Sequence, residues 1–218
     1  MKQTSDMLLT LAKNCGFSTA DPDQVLEMKV SGMKFHIRTY TATGLGHVSE
    51  MTASGFFGLM KMDTLIITPT EVDMPLFSYD RVLAMGNDTL IFELYDTLLG
   101  KTDLSALDAV KATCASLPDH ELGSHWYDSI KLTQSLSKKG KKQETAAFDK
   151  TATAYLNAYL QAAVAAASCE AKPKREKAGI YVEGLLKHGG PSTDVFKKGI
   201  GEEKTAELFR KTLFATQV

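Results

Sequence analysis

The sequence predicts an α+β chain, a three-layer α/β/α sandwich around a central antiparallel sheet. Three observations carry that expectation. The first half holds consecutive segments rich in β-branched and aromatic residues. Most links between them are too short for a crossover helix, so neighbouring strands run antiparallel. Segments such as TLIIT (64–68) and TLIFEL (89–94) are apolar on both faces, which calls for helices on both sides of the sheet. The chain reads as a single domain over 1–218. Residues 1–100 supply an N-terminal helix and the sheet, and 101–218 are mainly helical and pack on it.

The elements follow in order. Residues 3–13 form a short amphipathic helix with Met7, Leu8 and Leu11 on one side. Strands are expected at 35–43, 47–53, 59–68, 81–85 and 89–98, a meander of about five or six strands from Val25 onward. Gly44-Leu45-Gly46, Ser54-Gly55 and Gly86-Asn87-Asp88 mark turns. After Gly100 a helix spans 103–116 and Pro118 breaks it. Residues 118–142 read as a long irregular connection ending in the basic run SKKGKK. A helix over 144–168 repeats Phe148, Tyr155, Leu156, Tyr159, Leu160 and Val164 at helical spacing. Another runs from Pro173 to Leu186 and ends at Gly189-Gly190-Pro191, and Ser192 caps a short helix to Lys198. The last helix places Glu202 and Glu203 at its positive end and carries Leu208, Phe209 and Leu213.

Composition excludes several classes. The net charge of −1 lacks the basic excess of a nucleic-acid binder. No run approaches the roughly 18 apolar residues of a membrane span, and the start MKQTSDMLLTLAKNCG is too polar for a secretory signal. Cys15, Cys114 and Cys169 are odd in number and far apart, which fits a reducing cytoplasm. No GxGxxG follows a strand, and GxxxxGK[ST], HExxH and GxSxG are missing. His36, His47, His120, His125 and His188 lack metal-ligand spacing, so no metal site is expected.

The connection TPTEVDMPLFSYDRV (68–82) stands out, with two prolines, three carboxylates and an aromatic pair between two apolar strands. Pro69 and Pro75 stiffen it. Asp80, at the mouth of the next strand, has two readings. Desolvated beside Leu76-Phe77, it holds or delivers a proton near neutral pH. Otherwise it pairs with Arg81 or a lysine, or caps a turn. Glu50 lies mid-strand. His36, Arg38 and Tyr40 share one face of their strand, opposite Phe35 and Ile37, as a wet surface or a ligand floor. Lys138, Lys139, Lys141 and Lys142 form one basic group, and Lys172, Lys174, Arg175 and Lys177 another. Each is either a solvated face or a docking patch for an acidic partner.

Pro69, Asp73, Met74-Pro75-Leu76-Phe77 and Asp80, with Val195-Phe196-Lys197-Lys198, Gly201-Glu202-Glu203 and Leu213-Phe214, resemble the ferredoxin-dependent bilin reductases and the related red chlorophyll catabolite reductases. The resemblance covers about residues 30–214, and DMPLFSYD is its distinctive part. It implies an α/β/α sandwich with a linear tetrapyrrole between the sheet and the C-terminal helices. It also implies stepwise reduction by single electrons from external ferredoxin or flavodoxin, with protons from the protein and no bound cofactor. Asp80 falls on the family's proton-donating aspartate, and Glu50 near a strand glutamate that contacts ligand in some members. Where some members place a histidine facing that aspartate, this chain has Thr64, or Asp63 if the register slips. The family's C-terminal loop aspartate is replaced by the Gly189-Gly190-Pro191 region, leaving His188 or nothing in its role. The alternatives are a non-catalytic tetrapyrrole or haem carrier, with His47, His125 or His188 as axial ligand, and a domain that kept the fold without the pocket.

Overall fold

The computed structural model describes residues 4–19 and 21–217. Helix α1 (Thr4–Asn14) opens the chain and buries Met7, Leu8 and Ala12. Residue 3 of the expected helix lies outside the described residues. One antiparallel sheet of eight strands follows: β1 (Ser18–Thr19), β2 (Gln24–Val30), β3 (Met33–Thr43), β4 (Gly46–Gly55), β5 (Met60–Pro69), β6 (Leu76–Ala84), β7 (Asn87–Tyr95) and β8 (Leu136–Lys141). From β3 to β8 the order across the sheet is the order in the chain, while β1 and β2 both pair with β3. Helices are α2 (Ser105–Thr113), α3 (Thr145–Ala165), α4 (Ala171–His188), α5 (Pro191–Ile200) and α6 (Glu202–Glu207), the last continuing as a π-helix over Leu208–Leu213.

Several expectations change. The meander gains β2 and β8. The basic run at 137–142, expected to end an irregular connection, is instead mostly the edge strand β8. Helix α5 begins at Pro191 with Gly190 before it, so Ser192 lies inside the helix rather than at its cap. In α3, Val164 is exposed while Phe148, Tyr155, Leu156, Tyr159 and Leu160 are buried. Strand β6 starts at Leu76, not Arg81, which moves Asp80 from a strand's mouth to its middle.

Paired residues share a face of the sheet. Ile37, Met51, Thr64, Asp80 and Ile91 form one such row. The adjacent row, Arg38, Glu50, Leu65, Tyr79 and Phe92, points the opposite way. Each face has its own core. On the Leu65 side, Tyr40, Ile67, Phe77 and Phe92 cluster with Leu8 of α1, Leu107 of α2 and Phe148, Tyr155 and Tyr159 of α3. On the Thr64 side, Phe35, Ile37, Ile66 and Tyr95 cluster with residues of α4, α5 and the C-terminal segment. This explains why β5 is apolar on both faces: Leu65 and Ile67 enter one core and Ile66 the other.

The connection from β5 to β6 is fixed at both ends. Glu71 accepts the Gly44 amide at 2.8 Å. The Asp73 carboxylate accepts the Leu99 and Gly100 amides, each at 2.8 Å, and Lys174 of α4 at 3.2 Å. Lys174, only 1% exposed, also donates to the Met74 and Thr97 carbonyls. Tyr159 of α3 donates its hydroxyl to the Pro75 carbonyl at 2.8 Å. Two of the segment's three carboxylates therefore hold backbone in place. The third, Asp80, follows on β6.

Candidate functional site

A cavity of about 210 Å³ lies between the Thr64 face of the sheet and the helices that cover it. Met51, Met62, Ile66, Val82 and Ile91 give it an apolar floor, with Thr64, Ser78, Asp80 and Glu93 as the polar exceptions. Tyr181 and Leu185 of α4, the start of α5, and Phe209, Leu213 and Phe214 form the roof. The C-terminal segment is tied to β4 from this same face. His47 Nε2 meets the Thr212 carbonyl at 2.8 Å, and Ser49 donates to the Leu213 carbonyl at 2.8 Å.

Asp80 projects into this cavity from mid-strand. Thr64, its direct cross-strand partner, donates its hydroxyl to Asp80 Oδ1 at 2.5 Å. Burial pushes the Asp80 carboxyl up to about 6, against the pull of the Thr64 and Ser78 hydroxyls, and the charge of Glu93 adds to the rise. The pairing of Asp80 with Arg81 does not occur. Arg81 points to the opposite face, where it binds Asp88 through two nitrogens and lies 5.0 Å over the Phe148 ring.

Glu93 is the second carboxylate of the cavity. Its Oε2 accepts the Tyr95 hydroxyl at 2.6 Å, and its Oε1 lies 3.7 Å from Lys131 Nζ. Tyr95 stacks on Tyr181 with ring centroids 4.0 Å apart. Burial raises the Tyr95, Tyr127 and Tyr181 phenols, so all three stay protonated and able to donate at neutral pH.

A strap at 122–127 closes one side. His125 lies flat on Tyr127, with centroids 4.8 Å apart, and both line the cavity. Trp126 turns away from it and donates its indole N–H to the Gly189 carbonyl at 3.2 Å. Its ring occupies the space a side chain at Gly184 would need, since a Cβ there would sit 2.1 Å from the ring. Glycine at 184 thus lets α4 accept the strap.

The expected site residues divide. Asp80 and Thr64 meet in the cavity, and the register places Thr64, not Asp63, opposite Asp80. Asp63, Glu50 and Arg38 do not line it. Asp63 pairs across strands with Thr52 and Arg81 on the other face. Arg38 and Glu50, cross-strand partners, form an ion pair at 3.7 Å on that face. Their strand parity, which β5 and β6 transmit to Asp80, excludes them from its cavity. His188 is exposed at the end of α4, beside Trp126 and outside the cavity. Of the three histidines considered for haem, only His125 lines the cavity. Among the described residues, no group of three or more His, Cys, Asp or Glu is arranged to hold a metal.

Both basic groups lose a member. Lys138 is buried, bonded to Asp119 and the Leu117 carbonyl. Lys174 is the buried anchor of Asp73. Lys139, Lys141, Lys142, Lys172 and Lys177 are exposed and Arg175 is half-buried. Sequence reasoning does not select Glu93, Tyr95 or Tyr127 for the site, and reaches His125 only as an axial ligand of the haem alternative. The available signals were a lone acid inside the apolar run TLIFEL and the aromatic triplet His125-Trp126-Tyr127 in a connection otherwise without pattern.

No helix among the described residues is long and apolar enough to cross a membrane. No protein-family model and no curated protein matches the sequence. The structure is similar to that of phytochromobilin synthase from tomato in complex with biliverdin, with a TM-score of 0.77 over 97% of this chain and 83% of that one, at 13% identity. The chain therefore shares a fold with that protein, a large antiparallel sheet with packed helices.

Proposed function

We propose that the chain is a three-layer α/β/α reductase of a linear tetrapyrrole, with Asp80 as proton donor and reduced ferredoxin or flavodoxin as external electron source. One observation carries the reading. A carboxyl pushed up to about 6 stands in the middle of a strand, in a mostly apolar cavity, hydrogen-bonded by its cross-strand neighbour. Such a group is poised to deliver a proton near neutral pH. The shared fold with a protein solved with biliverdin supports the choice of ligand.

Saturating one carbon–carbon double bond takes two electrons and two protons. Each one-electron donor supplies an electron in turn. Asp80 transfers its proton to the reduced pigment and recovers one from solvent through the open side of the cavity. Thr64 steadies the carboxylate left behind. The surviving exposed lysines, Lys139, Lys141 and Lys142 or Lys172 and Lys177, would attract an acidic donor.

The test uses purified protein and biliverdin. Binding is expected to shift the visible absorption band, and reduced ferredoxin or flavodoxin to bleach or move it. Asp80→Asn should keep the binding shift and lose turnover about a hundredfold or more. Turnover equal to the wild type would remove Asp80 from the proton-donor role. A spectral shift with no reduction by either donor would favour a non-catalytic carrier.

A further inference from the structure

Two side chains that line the cavity each hold a polar atom shielded from solvent and without a hydrogen-bond partner: Glu93 Oε1 and His125 Nδ1. Neither belongs to the Asp80–Thr64 pair. Glu93 is only 8% exposed, and its other oxygen is already taken by Tyr95. Oε1 lies within ion-pair range of Lys131 but accepts no hydrogen bond. The His125 ring is held by its stack on Tyr127, and its backbone amide donates to Asp128. The Lys131 ammonium lies 3.7 Å from Glu93 Oε1 and 5.9 Å from the centre of the Tyr127 ring on which His125 stacks.

Buried polar atoms without partners cost stability, and in a cavity they mark where a ligand completes the bonding. One of the pair is an acceptor, a carboxylate oxygen. The other presents an N–H in the Nδ1-protonated tautomer. A cis-amide edge has the matching pattern, an N–H beside a C=O. Resting on the tetrapyrrole reading above, we infer that Glu93 and His125 form a clamp for a terminal lactam ring of the pigment. Glu93 Oε1 accepts the lactam N–H and His125 Nδ1–H donates to the lactam carbonyl. The clamp fixes how a terminal ring is seated, and so which bonds of the pigment lie near Asp80.

The experiment titrates wild type, Glu93→Leu and His125→Phe with biliverdin and with its bis-lactim ether, in which both terminal lactams are O-alkylated and lose the N–H. Visible absorbance gives Kd. Each variant should weaken biliverdin binding about tenfold or more and leave the lactim ether unchanged, so that compound also reports whether the variant's cavity is folded. His125→Gln, which retains an N–H donor, should recover part of the loss. If wild type binds biliverdin and both variants bind it within twofold of wild type, the clamp is wrong and the tetrapyrrole reading stands. The same holds if the lactim ether loses as much affinity as biliverdin. If wild type shows no spectral shift with biliverdin at any concentration, both fall together.

Discussion

Asp73 and Asp80 stand at the two ends of one short segment, and the fold drives their carboxyls in opposite directions. Burial works against the Asp73 charge, but the Leu99 and Gly100 amides and the Lys174 ammonium outweigh it and hold the carboxyl below its ordinary value. Asp80 receives two hydroxyls but no cation and no backbone amide, so burial wins and the value rises to about 6. The difference separates a carboxylate that fastens the chain from one that keeps its proton to higher pH. Charge at Asp73 is compensated on three sides. At Asp80 the compensation is withheld, and the neighbouring Glu93 makes ionisation harder still.

The contrast can be broken at its structural end first. Lys174→Met strips the buried cation from Asp73 and should destabilise the fold by about 3–5 kcal/mol, the usual cost of breaking a buried pair. The urea unfolding midpoint measures it, and a loss below about 1 kcal/mol would show that the Leu99 and Gly100 amides alone suffice.

Asp80→Asn sharpens the functional end, with the opposite sign. Between the ordinary value of 3.8 and about 6, the folded chain holds a proton that the unfolded chain has released. Stability from this group therefore falls as pH rises through that window and then levels off. The variant lacks the penalty. It should match wild type below pH 4 and exceed it by ~2 kcal/mol above pH 7, the shift at 1.36 kcal/mol per unit reduced for the part of the carboxyl open to the cavity. Asp73 contributes the other way, losing stability as acid protonates it. Equal pH profiles for wild type and Asp80→Asn would contradict a raised Asp80.

Thr64→Val gives the smallest effect. Removing the hydroxyl bonded to the carboxylate should move Asp80 further up, by about one pH unit. As Asp80 is the general acid in the proposed reaction, turnover falls as pH rises through its value. That descending limb should move upward in the variant, and a limb at unchanged pH would mean that Thr64 does not govern the proton.

The sequence exposes most of the sheet because β-branched and aromatic runs alternate with glycine turns. It conceals β2 and β8 for a physical reason. β2 is a strand with a free side, and β8 is flanked beyond β7 only by the short stretch 118–120, so their residues follow no two-sided apolar rule. QVLEMKV exposes Val25, and LSKKGK looks like a solvated loop until Lys138 is seen turned inward onto Asp119. Asp80 was visible because its segment is stiff and unlike its surroundings. The faces of Glu50 and Arg38 relative to Asp80 are not legible, because a face relation passes through every turn and bulge between two strands, and a single-residue shift reverses it. Glu93 shared the cavity face all along, but its place emerges only from the pairing of Glu93 with Ser78, one step along β6 from the Thr64–Asp80 row. His125 sits in a strap ordered by tertiary packing, which no local periodicity encodes.

The chain carries a single tryptophan, and Trp126 sits in that strap, between two residues that line the cavity. Its ultraviolet emission is thus a built-in gauge of occupancy. A chromophore absorbing in the near ultraviolet and seated beside Tyr127 would drain that emission by energy transfer, with no dye attached.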